Sequence, residues 1–431
     1  MRVLHLIVFL GAQIAPCLAL EIDQLELNSR FTYRYGTEAN SRIAGEVELL
    51  PRLNLSFSKG FDAVVALRLR GDTDDLLMPG EPLQWSYSDA SRPVPLGDQG
   101  VAELRDAYLE WRGGAASVRI GKQQIVWGSL DGIKVLDVLN PQSFEYFILE
   151  DFDQSRIPLW SVYADVSMGD WRVEAALIAD DSSHYIPAEG SWYEFQAPRF
   201  RFGLEPGMSP AALRTIGAVG ERGGLGLRLS RAVGNADLEL VAFSGRDHEP
   251  VARSQSAAGS DVVEIVNTRR DLFGFSLQQS VASAVVRLEA GYSPDRTVTA
   301  LSALGPQLRE HDNWRAALGV DLNGPAGIFI NLQYLHDQVR DFSHRLARDE
   351  RERTVTLALR RGFFYETLQA SYQLYYGIEY DDRLNRLRLD YQLGDRTTLG
   401  LAVEQFAGDQ RGPFGQFADR DQVAFSITFT L

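Results

Sequence analysis

The chain has 431 residues, and its 43 basic and 58 acidic side chains give a formal net charge of −15. Hydrophobic residues make up 45% of the chain, as in an ordered protein, and the mean hydropathy of −0.17 argues against a bundle of transmembrane helices. The acidic balance and the lack of a basic tract argue against nucleic-acid binding.

Residues 1–19 have the pattern of a cleavable export signal. Arg2 precedes a short apolar stretch, and small residues stand at the two positions that define a cut after Ala19. The apolar stretch is too short to anchor the chain in a bilayer. An acylated Cys17 is the alternative, which the preceding Pro16 disfavours. Because Cys17 is the only cysteine, the exported protein would have no disulfide.

Alternation of apolar and polar residues predicts β-strands along the rest of the chain. The pattern begins at residues 25–35, ends at residues 423–431 and occurs eighteen times in all. Many of these segments are about ten residues long, which is the length that a tilted strand needs to cross a hydrocarbon core. The spread of the pattern over residues 20–431 predicts one domain.

The connections between these strands alternate in length. Tight turns contain Gly, Asn, Asp or Pro, as at Gly113-Gly114 and Gly394-Asp395. We therefore predict an all-β fold, a single transmembrane antiparallel up-and-down β-barrel of about 18 strands (range 16–20), with short periplasmic turns and long extracellular loops. The long connections are predicted at residues 73–100, 129–157, 181–221, 246–268 and 294–312.

A soluble sandwich or propeller would also have alternating strands. Strands of soluble proteins average nearer five or six residues, which is shorter than the segments here. Aromatic residues at the ends of the apolar faces also favour a barrel, because such residues form girdles at the two membrane interfaces. They include Tyr33, Tyr35, Trp111, Trp160, Trp171, Tyr292, Trp314, Tyr334, Tyr391 and Phe429.

One stretch of the chain resembles a known group of proteins. The segments Arg119-Ile120-Gly121-Lys122-Gln123-Gln124, Val126-Trp127-Gly128 and Asp137-Val138-Leu139-Asn140-Pro141-Gln142 resemble the signature of Gram-negative outer-membrane porin-like barrels related to the alginate-export type. The last strand is similar to the signal read by the outer-membrane assembly machinery, although Leu431 replaces the usual terminal Phe. The resemblance implies the cell outer membrane, with its lipids and lipopolysaccharide, as the location.

If the apolar faces meet lipid, the alternate residues line the lumen. The residues predicted to line the lumen include both arginines and acids, so opposite charges on neighbouring strands are expected to pair. Two arginines share a strand face at Arg68 with Arg70 and at Arg386 with Arg388, which are candidates for an electropositive rung. The predicted pore-lining arginines are Arg30, Arg34, Arg68, Arg70, Arg112, Arg119, Arg172, Arg228, Arg287, Arg315, Arg360, Arg386 and Arg388.

The predicted loop 129–157 is unusually apolar for a solvated loop. A loop with so many apolar groups needs a surface to pack against. A constriction folded into the barrel would provide that surface, and so would a neighbouring loop. The candidate constriction residues are Phe144, Tyr146, Phe147 and Phe152.

The sequence lacks the usual marks of an enzyme. It has no Gly-x-Ser-x-Gly elbow, no Cys/His metal spacing and no dinucleotide fingerprint, so we predict no catalytic residue, no metal and no cofactor. The sequence predicts a porin-like channel for passive diffusion or export of small hydrophilic solutes. The resemblance implies anionic solutes such as uronates as candidates. The alternative is a non-conducting structural or adhesive barrel that acts through its long acidic loops.

Overall fold

The fold is a closed antiparallel β-barrel. The computed structural model describes residues 20–57, 60–77, 86–203, 223–257, 260–302 and 305–431. The predicted export signal lies outside these residues. Within them, no helix is long and apolar enough to span a membrane.

Eighteen strands form the barrel wall, and each corresponds to one strand predicted from the sequence. They are β1 (Leu20–Gly36), β2 (Ser41–Phe57), β3 (Phe61–Asp72), β5 (Gly100–Gly113), β6 (Ala116–Gln123), β7 (Leu159–Met168), β8 (Trp171–Ile178), β9 (Gly224–Val233), β10 (Ala236–Arg246), β13 (Arg269–Val281), β14 (Ala284–Ser302), β15 (Gly305–Asn323), β16 (Phe329–Val339), β17 (Arg351–Phe363), β18 (Leu368–Gly377), β19 (Asp382–Gly394), β20 (Thr397–Ala407) and β21 (Gln422–Thr430).

Each wall strand pairs with the next wall strand along the chain, and β1 pairs with β21 to close the barrel. Closure satisfies backbone hydrogen bonds that an open edge would leave unpaired in lipid. The prediction of an 18-stranded transmembrane barrel is thereby confirmed. Three further strands lie in the connections: β4 (Val94–Pro95) pairs with β5, and β11 (Val251–Ala257) forms a hairpin with β12 (Ser260–Val266).

The two ends of the barrel differ, as predicted. At one end, called the turn end, eight connections of two to five residues join the strands. At the other, called the loop end, the connections include residues 73–99, 124–158 and 179–223. A single-turn helix (Phe152–Ser155) and the 3₁₀ turns Pro198–Phe200 and Gly415–Phe417 lie in loop-end connections, and the 3₁₀ turn Pro325–Gly327 lies at the turn end.

The predicted long loop at residues 294–312 is wrong. β14 and β15 continue as one long hairpin, paired from Arg296 with His311 to Ser302 with Gly305. The turn signal Pro294-Asp295 instead forms a β-bulge, where the pairing register shifts and Asp295 adopts a positive φ of 46°. A bulge tolerates proline because the displaced residue donates no ladder hydrogen bond.

Apolar side chains on alternate strand positions face outward. Leu387 on β19 is 43% exposed, whereas the flanking Arg386 and Arg388 point inward and make ion pairs. Other outward side chains include Leu109, Leu227, Leu240, Phe273, Leu318, Leu332 and Phe425. This alternation confirms that the apolar faces form the surface that meets lipid.

Replacing Leu387 by arginine tests the direction of this alternation. We expect Leu387→Arg to lower the free energy of unfolding by about 2–4 kcal/mol, because a guanidinium placed near the bilayer midplane loses its hydration. Denaturant unfolding of the barrel in lipid vesicles measures the change. Leu387→Phe is the control and should change stability by only about 0.5 kcal/mol; equal losses in the two variants would contradict an outward Leu387.

Candidate functional site: the barrel interior

Residues 124–158, here called the inner loop, lie inside the barrel. Trp127 and Leu136 in the first half of the loop are buried and pack on the inner face of β9 and β13. Both strands have glycine at the contact: a Cβ added to Gly226 would lie 2.6 Å from the Trp127 ring, and one added to Gly274 would collide with Leu136. Gly291 and Gly319 give similar room on β14 and β15, so these inward glycines let the loop approach the wall.

Polar contacts fix the same half of the inner loop. The Glu289 carboxylate on β14 accepts hydrogen bonds from the backbone N–H groups of Ser129 and Leu136, the latter at 3.3 Å. On β16, Gln333 donates to the carbonyl of Asp131. These wall side chains satisfy loop backbone groups that the fold takes out of water.

The second half of the inner loop contacts the opposite wall. The Tyr146 hydroxyl donates to Glu46 on β2 at 2.5 Å, and Arg70 on β3 donates to Glu145 at 2.7 Å. The guanidinia of Arg34 and Arg70 lie 5.4 and 5.7 Å from the centre of the Tyr146 ring. The inner loop therefore spans the lumen from one wall to the other.

Neighbouring loops pack on the inner loop as well. The Phe147 ring lies 4.8 Å from Phe417 and 6.4 Å from Phe195, which belong to two other loops, and 6.3 Å from Phe406 on β20. Phe144 packs on Phe195 at 5.9 Å. The two surfaces considered for this loop, the barrel wall and a neighbouring loop, are both present.

Within the part of the chain that the structure describes, a larger and a smaller cavity border the inner loop. The larger has a volume of about 1320 Å³ and reaches from Arg199 and Arg411 at the loop end to Arg360 and Gln369 near the turn end. Phe144, Phe147 and Phe152 line it. The smaller, of about 90 Å³, lies between Tyr146 and strands β1 to β3 and β19 to β21.

Among the described residues, eleven of the thirteen predicted arginines make ion pairs, so most of their positive charge is compensated. Arg68 contacts Glu48 and Glu150, and Arg70 contacts Glu103 and Glu145. The other partners are Glu48 for Arg30, Glu46 and Glu404 for Arg34, Asp62 and Glu110 for Arg112, Asp165 and Glu174 for Arg172, Glu174 and Glu239 for Arg228, Asp321 for Arg287, Asp337 for Arg315, Glu404 for Arg386, and Asp390 for Arg388.

Both predicted rungs border the smaller cavity, and Arg386 and Arg388 border the larger cavity as well. Arg68, Arg70, Arg386 and Arg388 all line the smaller cavity, together with carboxylates that neutralise them. The two remaining predicted arginines stack on aromatic rings: Arg119 lies 4.5 Å from the centre of Tyr163, and Arg360 lies 5.2 Å from the centre of Phe329. The latter pair faces the larger cavity near the turn end.

A further group of charges lies at the loop end, and Arg315 is the one member that was among the predicted pore-lining residues. Four arginines and four acids alternate in one ion-pair chain: Asp247, Arg296, Glu249, Arg199, Glu352, Arg348, Asp337 and Arg315, with each contact between 2.6 and 3.2 Å. Burial alone would raise the pKa of Glu249, but Arg199 and Arg296 outweigh it and hold that pKa well below its usual range.

The ion-pair chain joins three loops to four strands, β14 to β17, so most of its pairings cannot be read from neighbouring positions in the sequence. Arg296 was not counted among the lumen residues because the sequence placed it in the predicted loop at residues 294–312. Arg270 lies an even number of residues from Gly274 on β13 and therefore faces the lumen as Gly274 does. The predicted strand was too short to include Arg270 among the lumen residues.

A family model described as protein of unknown function (DUF1302) matches residues 91–340, which is more than half of the chain. No curated protein matches the sequence.

Similar solved structures are barrels of Gram-negative bacteria. Pseudomonas aeruginosa OccK2 (OpdF), in complex with glucuronate, has a TM-score of 0.54 at 10% identity, with 95% of this chain and 97% of that chain covered. Acinetobacter baumannii OccAB1 has a TM-score of 0.52 at 10% identity, with 97% of both chains covered. Pseudomonas aeruginosa OpdK with vanillate has a TM-score of 0.50 at 11% identity, with coverages of 94% and 98%. The fold is that of outer-membrane porins.

Two histidines, the half-buried His184 and the buried His248, hold the inner loop at the loop end. The backbone N–H of Gln142 donates to His184 Nδ1 at 2.9 Å, so this nitrogen carries no proton. Burial, and then the neighbouring His248, lower the pKa of His184 to about 3. His248 places its two ring nitrogens 3.1 and 3.0 Å from the carbonyls of Ser182 and Leu139, a geometry that favours the charged ring although burial lowers the pKa to about 4.

Acid should therefore weaken the contact between His184 and the inner loop. Below a pH of about 6.5 a released His184 binds a proton and the docked one does not, so docking loses about 1.4 kcal/mol per pH unit until the folded-state pKa is reached. Hydrogen exchange of residues 140–146 at pH 7 and pH 5 measures this loss. His184→Asn keeps an acceptor that does not titrate, and an unchanged pH dependence in that variant would contradict the assignment.

Proposed function

The chain belongs to the family of proteins of unknown function DUF1302, and we propose that it is a passive channel in the outer membrane of a Gram-negative bacterium. The observation that carries the proposal is the larger cavity, which has residues of both barrel ends in its lining. A cavity of that extent gives a solute a path through the membrane beside the inner loop.

The charges along the path favour a channel of low ionic selectivity. Ion pairs neutralise most of the inward arginines, including Arg386 and Arg388, which border both cavities. Arg360 faces the larger cavity and, among the described residues, has an aromatic contact but no ion pair. We propose that small hydrophilic solutes pass by diffusion and that anions are modestly preferred.

A non-conducting structural or adhesive barrel is the second candidate. One observation favours it: aromatic residues of three loops share a cluster above the lumen, with Phe147, Phe195 and Phe417 in contact. A barrel that is held shut in this way would act through its loops. Contact with lipopolysaccharide, recognition by the assembly machinery and a relation to alginate-export barrels stay predictions.

Planar-bilayer recording separates the two candidates. We expect purified protein to give ohmic current steps in KCl because the larger cavity extends towards both ends of the barrel. The reversal potential in a KCl gradient should show a chloride preference of only a few-fold, since pairing leaves few uncompensated cations. A complete lack of current steps would reject the channel and favour the closed barrel.

Deleting residues 143–153 tests the inner loop as a constriction. Conductance should rise, because the deletion removes Phe144, Phe147 and Phe152 from the lining of the larger cavity. The single-channel conductance of the variant is compared with that of the full chain. A deletion of equal length at residues 253–263 in the β11–β12 hairpin is the control and should leave conductance unchanged, whereas no rise in the first variant would reject a constriction.

A further inference from the structure

The larger cavity has an apolar surface that passage of hydrophilic solutes does not explain. The inner loop presents Val138, Phe144, Ile148 and Phe152 to it, each half-buried, and Leu335 on β16 faces them from the wall. A path for small ions gains nothing from aromatic and branched side chains, because these groups cannot replace the hydrogen bonds of water. The lining therefore suits a solute with an apolar body.

Beside the ion-pair chain, a further buried arginine lines the same cavity. Arg270 on β13 is only 7% exposed, and its Nε donates to Ser293 Oγ at 3.0 Å. Its side chain makes no ion pair within the part of the chain that the structure describes. The acids that act on it electrostatically, Asp247 and Glu249, are already paired with Arg296.

Arg270 thus adds a fifth positive charge to a cluster with four negative ones. Arg296 and Arg315 also act on it as like charges, so the local balance favours a bound anion. A carboxylate suits this site because a guanidinium can donate two parallel hydrogen bonds to it. Strand pairing places Arg270 opposite Gly245, which has no side chain to cover it.

We propose that the larger cavity binds an organic acid with an apolar body, such as an aryl or alkyl monocarboxylate. Arg270 holds the carboxylate at the loop end, and the apolar body lies against Phe152, Phe144 and Leu335. The inference rests on the proposed channel, and it names the solute class that the channel takes. A sugar acid carries the same charge but would have to leave hydroxyl groups unpaired against the aromatic lining.

Three small probes separate the charge from the apolar body. Phenylacetate has both, phenylacetamide has only the apolar body, and glucuronate has only the charge. The measurement is the concentration of each solute that halves the KCl current through single channels. We expect phenylacetate to act at a concentration about tenfold lower than glucuronate, because the ring leaves water, and about tenfold lower than phenylacetamide, because of the charged hydrogen bonds.

Three variants assign these preferences to residues. Arg270→Gln should abolish the advantage of phenylacetate over phenylacetamide and leave the half-blocking concentration of phenylacetamide unchanged. Phe152→Ser should raise the half-blocking concentrations of both phenyl solutes and leave that of glucuronate unchanged. Leu335→Ser removes apolar surface from the barrel wall instead of the inner loop and should act in the same way. This variant tests the apolar surface even if Phe152→Ser disturbs the inner loop.

Matched controls lie outside the cavity. Arg253→Gln on β11 removes an arginine that pairs with Glu264, and Phe342→Ser removes an aromatic ring that packs on His344. Both controls should keep the preferences of the full chain. Loss of the preferences in either control would show that the effects of the test variants are not local, and would overturn the assignment.

The two proposals fail in different ways. If KCl current flows but phenylacetate acts no better than glucuronate, the solute class is wrong and the channel stands. If no current flows, the channel is wrong, and calorimetric titration of the purified protein with the three probes decides the ligand class without conductance. Equal affinities for the three probes in that titration would overturn the inference.

Discussion

Backbone hydrogen bonding in lipid is the constraint on which the rest of the structure depends. A strand that crosses the hydrocarbon core must pair on both sides, and pairing of β1 with β21 completes the circle of eighteen strands. Closure sends alternate side chains to opposite faces, so Leu387 must face lipid when Arg386 and Arg388 face the interior. Charged groups can therefore be placed on one face only, and they accumulate in a confined lumen.

The inner loop fills part of the lumen that closure encloses. Its backbone groups leave water when the loop enters the lumen, and Glu289 and Gln333 supply partners from the wall. Its apolar side chains need a surface, which inward glycines such as Gly226 and Gly274 provide by allowing close approach. Loop and wall are thus complementary, and among the described residues a large and a small cavity lie between them.

The wall was predictable from the sequence because alternation is a local signal, and each of the eighteen wall strands corresponds to a predicted one. The hairpin of β14 and β15 was missed because Pro294 and Asp295 read as a turn, whereas pairing on both sides converts them into a bulge. The inner loop was partly predictable, since its aromatic residues required burial. Its contacts with β9 and with β13 to β15 were not predictable, and neither was the ion-pair chain. Both bring together side chains of different loops and strands, and these meetings depend on how the barrel closes.

Pairing within the lumen also determines where selectivity can arise. An arginine with a carboxylate on the next strand or on the inner loop contributes little field to a passing solute, because the opposite charges cancel over a short distance. Arg68 and Arg70 are of this kind. Discrimination must then come from cations without a partner and from the surface between them. In the larger cavity that surface includes the apolar side chains of the inner loop and Leu335. The proposed selection therefore depends on the apolar part of the solute as much as on its charge.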